Sequence, residues 1–323
     1  MTDKPLGTRQ LGTSAVRVTE LSFGGAAIGN LFTEVSDDAA SGAVAAAWNG
    51  GIRAFDTAPH YGLGLSEQRL GAVLRHYPRD QYVVTTKVGR LLEEATPPHR
   101  QDTEGYAVPA TCRRVRDYSA DGVQRSLEAS LERLGLDRID IALIHDPDDH
   151  ADQAFREAYP ALERLRAAGS VRAIGAGMNQ AEMLTRFVTD TDVDVVLVAG
   201  RYTLLDQSAS RELLPKARDR GVSVLAAGVF NSGLLAAPAV SATYDYLPAP
   251  GNLVVRARRL EEICAQFGVP LRAAAARFPM RHPAVASVLI GARSAAEVTD
   301  AVSLWQSEIP DALWDALDAE HVA

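Results

Sequence analysis

Short apolar runs recur along the chain, and most of them are followed by a segment with helical periodicity. The runs are rich in Val, Ile and Leu and do not alternate with polar residues, which is typical of parallel strands buried on both faces. Eight such strands are predicted, at 21–25, 52–56, 81–87, 139–144, 171–175, 193–199, 222–227 and 285–290. Helices are predicted at 37–48, 66–75, from 119 or 121 to 134, and at 152–168, 180–188, 208–220, 253–267, 271–278, 294–305 and 311–320.

Eight strands, nearly all followed by helices, predict a (β/α)8 barrel, that is, a TIM barrel. A β-hairpin is predicted ahead of the barrel, at 8–11 and 16–18 around the turn Gly12-Thr13-Ser14. A doubly wound open sheet is the rival fold, but it would carry GxGxxG after its first strand. Neither 24–29 nor 175–180 completes that motif. Because no stretch has the composition of a linker, residues 1–323 are predicted to form a single domain.

Two stretches break the strand–helix rhythm. Residues 88–118 and 233–252 are rich in Pro, Gly or charged residues and are predicted to be long loops. Loops of that length inside a compact domain are usually functional or mobile. We therefore expect the determinants of substrate identity in these two loops, although no sequence code for it is readable there.

Charge and cysteine content exclude several classes of protein. The formal net charge of −8 disfavours nucleic acid or an anionic membrane as the main partner. Only Cys112 and Cys264 are present, without a CxxC pair, so neither a disulfide framework nor a zinc site is expected. The first residues carry no apolar segment and no apolar run approaches the roughly 20 residues that span a bilayer, which predicts a cytoplasmic protein. The oligomeric state is not readable.

Chemistry-bearing residues follow three consecutive predicted strands. Asp56, Lys87 and His145 end strands two, three and four, and Tyr61 lies in the loop after strand two. Each alone has an ordinary structural interpretation, such as a turn cap or a solvated lysine. Because parallel strands of a barrel end at one rim, the four side chains are expected to converge there. Buried Lys and Asp are rare unless paired, so the combination favours an active site.

The four residues suit proton transfer to an oxygen. A free phenol titrates near about 10, and a neighbouring ammonium lowers that pKa. Asp56 would hold Lys87 charged and in place, and His145 could donate a hydrogen bond to a carbonyl or hydroxyl oxygen. The set contains no nucleophile and no metal cage, so a redox cofactor would have to carry a hydride. The run His145–His150 looks metal-like, but a metal hydrolase would need ligands from several strands, and none is expected here.

The motif Phe55-Asp56-Thr57-Ala58, followed by Tyr61-Gly62, Lys87 and His145-Asp146, resembles the aldo-keto reductase superfamily. The resemblance implies a catalytic tetrad of Asp56, Tyr61, Lys87 and His145. It also implies an extended nicotinamide dinucleotide across the barrel mouth, without a Rossmann fold. The residues that the resemblance assigns to this cofactor are Asn179, Tyr202, Phe230, Asn231, Ser232, Gly233, Leu234, Gly291, Arg293, Ser294 and Glu297. Ala199 departs from the pattern, because the family often has Gln at that position.

The segments 55–64 and 200–207 resemble one branch of that family, the bacterial sugar 1-dehydrogenases and pyridoxal 4-dehydrogenase. This resemblance implies oxidation of an aldose of the L-fucose, L-galactose or D-threo-aldose type to its lactone. His60, a polar residue beside Tyr61, is expected to bind a substrate hydroxyl group. A general aldehyde or ketone reductase and a pyridoxal dehydrogenase are the alternatives. A non-catalytic dinucleotide-binding barrel is a third reading, against which the intact tetrad argues.

The segment after strand eight predicts NAD rather than NADP as the cofactor, with NADP as the alternative. Arg293 and Ser294 could grip an adenosine 2′-phosphate. Glu297 stands where many NADP users of the family place Arg or Gln, however, and Asp300 lies one helical turn further on. A carboxylate there can accept hydrogen bonds from a ribose diol and repels a phosphate. Arg293 could instead stack on adenine or pair with Glu297.

Overall fold

A computed structural model describes residues 5–95, 101–239, 243–245 and 247–322. The strands of the described residues are β1 (Thr8–Gln10), β2 (Arg17–Thr19), β3 (Leu21–Gly24), β4 (Ala54–Asp56), β5 (Val83–Val88), β6 (Arg90–Glu94), β7 (Cys112–Arg116), β8 (Ile141–His145), β9 (Ala173–Met178), β10 (Val195–Ala199), β11 (Ser223–Ala227), β12 (Thr243–Tyr244), β13 (Leu247–Pro248) and β14 (Val285–Gly291). Eight parallel strands close into a barrel, in the order β10-β11-β14-β3-β4-β5-β8-β9. The predicted (β/α)8 barrel is confirmed.

Helices cover the outside of the barrel. They are α1 (Asp37–Asn49), α2 (Leu65–Leu74), α3 (Ala120–Leu134), α4 (Ala151–Gln153), α5 (Tyr159–Ala167), α6 (Ala181–Asp190), α7 (Leu213–Arg220), α8 (Gly251–Gln266), α9 (Leu271–Arg277), α10 (Ala295–Gln306) and α11 (Asp311–Val322). A π-helical turn, Ala154–Ala158, joins α4 to α5. Within the described residues, no helix is long and apolar enough to cross a membrane.

The predicted N-terminal hairpin is confirmed and fills the bottom of the barrel. β1 pairs antiparallel with β2, with Thr8 opposite Thr19. Leu11, Val16 and Val18 are buried in one apolar cluster with inward-facing residues of the barrel strands. The hairpin therefore excludes water from the N-terminal end, and the opposite end of the barrel is left for a site.

The two predicted loops contain short antiparallel ribbons, so the loop prediction is wrong at these points. β6 pairs with β7, with Arg90 opposite Arg116, and β12 pairs with β13. The β6–β7 ribbon is half-exposed and rich in charge, for example in the ion pair of Arg113 with Glu93 at 2.7 Å. It therefore lacks the apolar run by which the barrel strands were recognised. Residues 96–100, 240–242 and 246 of the two loops lie outside the described residues.

The helix predicted at 208–220 is divided. A 3-10 turn, Ser208–Ser210, precedes α7, and Pro215 lies in the first turn of α7. Proline is tolerated there because the first N–H groups of a helix have no intrahelical partner. Proline therefore lies near the start of the second part of the segment rather than interrupting one helix.

Candidate active site

Asp56, Lys87 and Tyr61 meet at the C-terminal end of the barrel. The Lys87 ammonium donates to both carboxylate oxygens of Asp56 at 2.8 Å, to the Thr57 carbonyl at 3.0 Å and to the Tyr61 hydroxyl at 3.1 Å. Lys87 is 1% exposed and Asp56 is 5% exposed. Adjacent parallel strands β4 and β5 bring the lysine and the carboxylate together. The expected convergence of these three residues is therefore present.

Burial and charge oppose each other at Asp56. Desolvation raises the pKa of the Asp56 carboxyl above its ordinary value, and the Lys87 ammonium partly offsets that rise. A buried ion pair is retained only when its hydrogen bonds are well formed. Here both carboxylate oxygens and the ammonium are satisfied within the pair and its neighbours. The ammonium is thus held against the phenolic oxygen of Tyr61 by a fixed counter-charge.

Backbone geometry fixes the loop that carries Tyr61. Gly62, Leu63 and Gly64 all have positive φ, which turns the chain into α2 within three residues. A Cβ on Gly62 would lie 2.2 Å from the Gly29 carbonyl oxygen, so only glycine fits that approach. The buried Ser66 hydroxyl donates to the Gly25 carbonyl at 2.8 Å and ties α2 to the loop after β3. These contacts set the height of the phenol above the barrel.

Two histidine rings lie beside Tyr61. The centre of the His145 ring is 5.9 Å from that of Tyr61, and the centre of the His60 ring is 6.0 Å away. Burial, then Arg90, holds the pKa of His145 well below its usual range. Burial, then Arg90 and Arg114, lowers the pKa of His60 to about 2. Both imidazoles are therefore neutral at physiological pH and can donate from one nitrogen and accept at the other.

The run 145–150 does not act as one cluster. Asp146 accepts a hydrogen bond from Arg90, and the His150 ring packs 5.3 Å from that of Tyr118. The Tyr118 hydroxyl donates to the backbone carbonyls of His145 at 2.6 Å and Asp146 at 2.8 Å. Within the described ranges, no group of three or more His, Cys, Asp or Glu side chains is arranged to hold a metal ion.

The cleft beside Tyr61 has a volume of ≈ 400 Å³ and is lined by His60, Lys87 and His145, among others. Its lining also includes Arg90, Glu104 and Tyr106, which sequence reasoning did not assign to the site. All three lie in the stretch predicted as a long loop, whose charges have no periodicity to interpret. Of these residues, Arg90 could have been expected near the site from the sequence, because it follows Lys87 by three residues and therefore lies near the same rim of the barrel.

A second cleft of ≈ 460 Å³ continues from the first, and the two share Tyr61, Asn179, Leu197 and Ala199 in their lining. It ends near α10. The sequence-predicted cofactor residues that line it are Asn179, Phe230, Asn231, Ser232, Gly233, Gly291, Arg293 and Glu297. The structure thus brings most of these residues to one elongated cleft beside Tyr61.

The middle of this second cleft carries a tight turn and a buried polar atom without a partner. Asn231, Ser232 and Gly233 all have positive φ, and the turn uses the N–H groups of Asn231 and Gly233, which donate to the Gly228 carbonyl at 2.9 Å and the Phe230 carbonyl at 3.1 Å. The Asn231 amide donates to the Gly200 carbonyl at 3.2 Å, while its own Oδ1 is buried without a hydrogen-bond partner. An acceptor left unpaired in a cleft is available to a donor on a ligand. The residues present fit a nicotinamide dinucleotide.

Three predicted cofactor residues lie differently. Leu234 is fully buried. The Tyr202 ring packs against those of Phe278 at 5.1 Å and His282 at 6.2 Å, and Tyr202 is not among the residues that line either cleft. Ser294 caps α10 by accepting the Glu297 N–H at 3.3 Å. The structure therefore does not bring these three side chains to the cleft with the others.

Glu297 and Arg293 are linked through the backbone of Arg293. The Glu297 carboxylate accepts the Arg293 N–H at 2.8 Å, which together with Ser294 forms an arrangement like a capping box. Asp300 instead pairs with Arg272 at 2.7 Å. Glu297 nevertheless lines the cleft beside Arg293. A carboxylate and a guanidinium therefore both face the distal end of the cleft.

Comparison with known proteins agrees with this geometry. The chain is 46% identical over 310 residues to the D-threo-aldose 1-dehydrogenase of a Pseudomonas species, covering 94% of each protein. It is 41% identical over 331 residues to the pyridoxal 4-dehydrogenase of Microbacterium luteolum, covering 97% of this chain and 96% of the relative. The holo form of an aldo-keto reductase from Bacillus halodurans superposes with a TM-score of 0.76 at 25% identity, over 98% of this chain and 96% of that one.

The family model described as Aldo/keto reductase family matches residues 20–321, which include every strand of the barrel. Members of that family are oxidoreductases that use a nicotinamide cofactor, in agreement with the composition of the elongated cleft. The resemblance recognised in the sequence is therefore confirmed over nearly the whole chain. This protein belongs to the aldo/keto reductase family.

Proposed function

We propose that this enzyme oxidises the cyclic hemiacetal of an aldose to the lactone, with NAD as the preferred cofactor. The observation that carries the proposal is the Lys87 ammonium placed 3.1 Å from the Tyr61 hydroxyl inside a cleft with a strongly polar wall. The similarity to a relative named D-threo-aldose 1-dehydrogenase supports the substrate class.

In this proposal Tyr61 exchanges the proton. The hemiacetal hydroxyl gives its proton to the Tyr61 oxygen as the C1–H bond breaks, and a carbonyl forms at C1. The Lys87 ammonium stabilises the phenolate that accepts this proton, and Asp56 keeps the ammonium in place. Neutral His145 orients the reacting oxygen through a hydrogen bond. Nicotinamide, when bound, supplies the acceptor for the hydride from C1.

The cofactor is proposed to lie in the elongated cleft. Asn179 borders both clefts and is proposed to hold the carboxamide, with the loop at Asn231, Ser232 and Gly233 around the pyrophosphate. Phe230, Gly291, Arg293 and Glu297 then surround the adenosine. Glu297 lines the adenosine end of this cleft beside Arg293, and its carboxylate disfavours a 2′-phosphate. The position of Glu297 is the feature that supports NAD.

Pyridoxal is the second candidate substrate, because the 41% identical relative is named for it and pyridoxal also forms a cyclic hemiacetal. The aromatic rings of Tyr61 and Tyr106 line the cleft and offer a face on which a planar ring can stack. Arg90, Glu104 and Asp146 on the cleft wall favour a ligand with more hydroxyl groups. The aldose is therefore placed first.

The test is a turnover assay with the purified protein. NAD⁺ and NADP⁺ reduction are measured with L-fucose, L-galactose, D-arabinose and pyridoxal, and aldehyde reduction is measured with benzaldehyde. We expect aldose oxidation that is lost in Tyr61→Phe and kept in Tyr77→Phe, a control tyrosine that stacks on Trp48. Reduction of benzaldehyde by NADPH, with no oxidation of any sugar, would overturn the proposal.

A further inference from the structure

One wall of the active-site cleft carries charge that the proton transfer does not use. We call His60, Arg90, Glu104 and Asp146 the polar wall. The rest of the same cleft includes apolar side chains, namely Leu31, Phe32, Met178 and Leu197. A cleft with polar and apolar sides suits a ring that has hydroxyl groups along its edge and C–H groups on its face.

The Glu104 carboxylate is surrounded by donors that it does not reach. Its oxygens lie 3.6 Å from Nη1 of Arg114, 3.7 Å from Nη1 of Arg90 and 3.8 Å from Nδ1 of His60. Each separation is longer than a hydrogen bond. His60 Nδ1 and Arg90 Nε are moreover buried without a hydrogen-bond partner. Arg114 and Arg90 already donate to Asp102 and Asp146, so within the described residues the unused groups beside the Glu104 carboxylate are His60 Nδ1 and Nε of Arg90.

Glu104 is held where it is by a buried scaffold. The Asp102 carboxylate accepts the backbone N–H groups of Glu104 and Tyr106, both at 3.2 Å. Arg114 binds that carboxylate and also donates to the His60 carbonyl at 3.0 Å. The Arg114 and Asp102 side chains are only 6% and 4% exposed, whereas the Glu104 side chain is 45% exposed. The loop is thus anchored from below and presents one carboxylate to the cleft.

We propose that Glu104 is the residue that selects a polyhydroxylated substrate, by accepting hydrogen bonds from ring hydroxyl groups that also accept from Arg90 or His60. This proposal rests on the proposed aldose oxidation and names its specificity determinant. A hydroxyl group both donates and accepts, so it can lie between a carboxylate and a guanidinium. An anionic substrate would meet Glu104 and Asp146, which already neutralise Arg90.

An aldehyde without hydroxyl groups would be a poor substrate for the same reason. It would cover the polar wall and leave the Glu104 carboxylate and the His60 nitrogen without partners. A site built to hydrogen-bond a substrate rejects analogues that lack the matching groups, because its own polar groups are then desolvated unpaired. The site therefore discriminates against carbonyl compounds that lack hydroxyl groups, as well as favouring sugars.

The test compares Glu104→Gln with the wild type on two cyclic hemiacetals, L-fucose and tetrahydropyran-2-ol. Both undergo the same oxidation, but only L-fucose carries further ring hydroxyl groups. We expect kcat/KM for L-fucose to fall about 10- to 100-fold, mainly through KM. For tetrahydropyran-2-ol kcat/KM should not fall, and it should rise where the unpaired carboxylate penalised this substrate; retained turnover also shows that the variant is folded. The matched control is Glu93→Gln, on the ribbon strand β6 outside this cleft.

The outcomes separate this inference from the proposed function. If Glu104→Gln lowers kcat/KM equally for both hemiacetals, or for neither, the assignment of Glu104 is overturned while aldose oxidation stands. If the wild-type enzyme oxidises tetrahydropyran-2-ol but no sugar, the proposed function is overturned and the inference with it. If Glu93→Gln reproduces the selective loss, the effect is one of general surface charge and Glu104 is again overturned.

Discussion

Removal of Lys87 should separate the contribution of the buried ion pair to stability from its contribution to catalysis. Lys87→Met leaves the Asp56 carboxylate at the barrel end with its two hydrogen bonds from the ammonium lost. Breaking a buried pair in this way costs about 3–5 kcal/mol of the free energy of unfolding. Burial already raises the pKa of Asp56, and Lys87 opposes that rise, so in the variant Asp56 takes up a proton more readily. The loss of stability should therefore shrink as the pH is lowered.

The double variant Asp56→Asn/Lys87→Met completes the cycle. It removes both charges, so its loss of stability should be smaller than the sum of the two single losses by about 2–3 kcal/mol. Urea unfolding of the four proteins at neutral pH gives the free energies. Turnover should not recover in the double variant, because the cation beside Tyr61 is still missing. Additive losses, or recovered turnover, would refute the reasoning that links this pair to the phenol.

Further predictions concern the other groups of the site. Tyr61→Phe should lower turnover about 10²–10⁴-fold with nearly unchanged binding of NADH, measured by fluorescence titration; near-normal turnover would exclude Tyr61 as the proton-transfer group. Catalytic efficiency with NAD⁺ should exceed that with NADP⁺ by about 10- to 100-fold, and Glu297→Arg should narrow the gap; a wild-type preference for NADP⁺ would contradict the role of Glu297. The neutral form of His60 should contribute stability above pH 6.5 that is lost as the pH falls from 6.5 towards its folded pKa of about 2. Between pH 7 and 5 the free energy of unfolding should fall by about 2 kcal/mol through this group. Urea unfolding at both pH values should show that this fall disappears in His60→Gln and persists in the exposed control His76→Gln; the same pH dependence in both variants would contradict the assignment to His60.

The sequence predicted those parts of the site that depend on strand ends. Asp56, Lys87 and His145 could be placed because each follows an apolar run, and parallel strands of a barrel end at one rim. The elements that the sequence did not predict are those without an apolar signature. The β6–β7 ribbon is built from charged residues, and its pairing depends on register rather than on a buried face.

Glu104 illustrates the limit more sharply. Its position depends on Arg114, which binds Asp102 and the His60 carbonyl over separations of 12 and 54 residues in the chain. No local pattern encodes contacts of that kind. Tyr202 shows the converse case: the residue type matched the family pattern, but packing against Phe278 directs its ring elsewhere. Family resemblance therefore predicts the position of a side chain well at the ends of the barrel strands, where the backbone determines it, and less well where loops pack on one another.

The electrostatics of the cleft bear on which group moves the proton. Burial lowers the pKa values of both histidine rings, and the nearby cations Arg90, Arg114 and Lys87 lower them further. With pKa values this low, neither imidazole is basic enough to take up the substrate proton at neutral pH. The same Lys87 ammonium lies against the Tyr61 oxygen, where positive charge favours the deprotonated form of a phenol. Burial and these cations thus disfavour the histidines as bases, and the Lys87 ammonium favours proton exchange at tyrosine. This supports the proposed role of Tyr61 and leaves His145 and His60 as neutral hydrogen-bonding partners of the substrate.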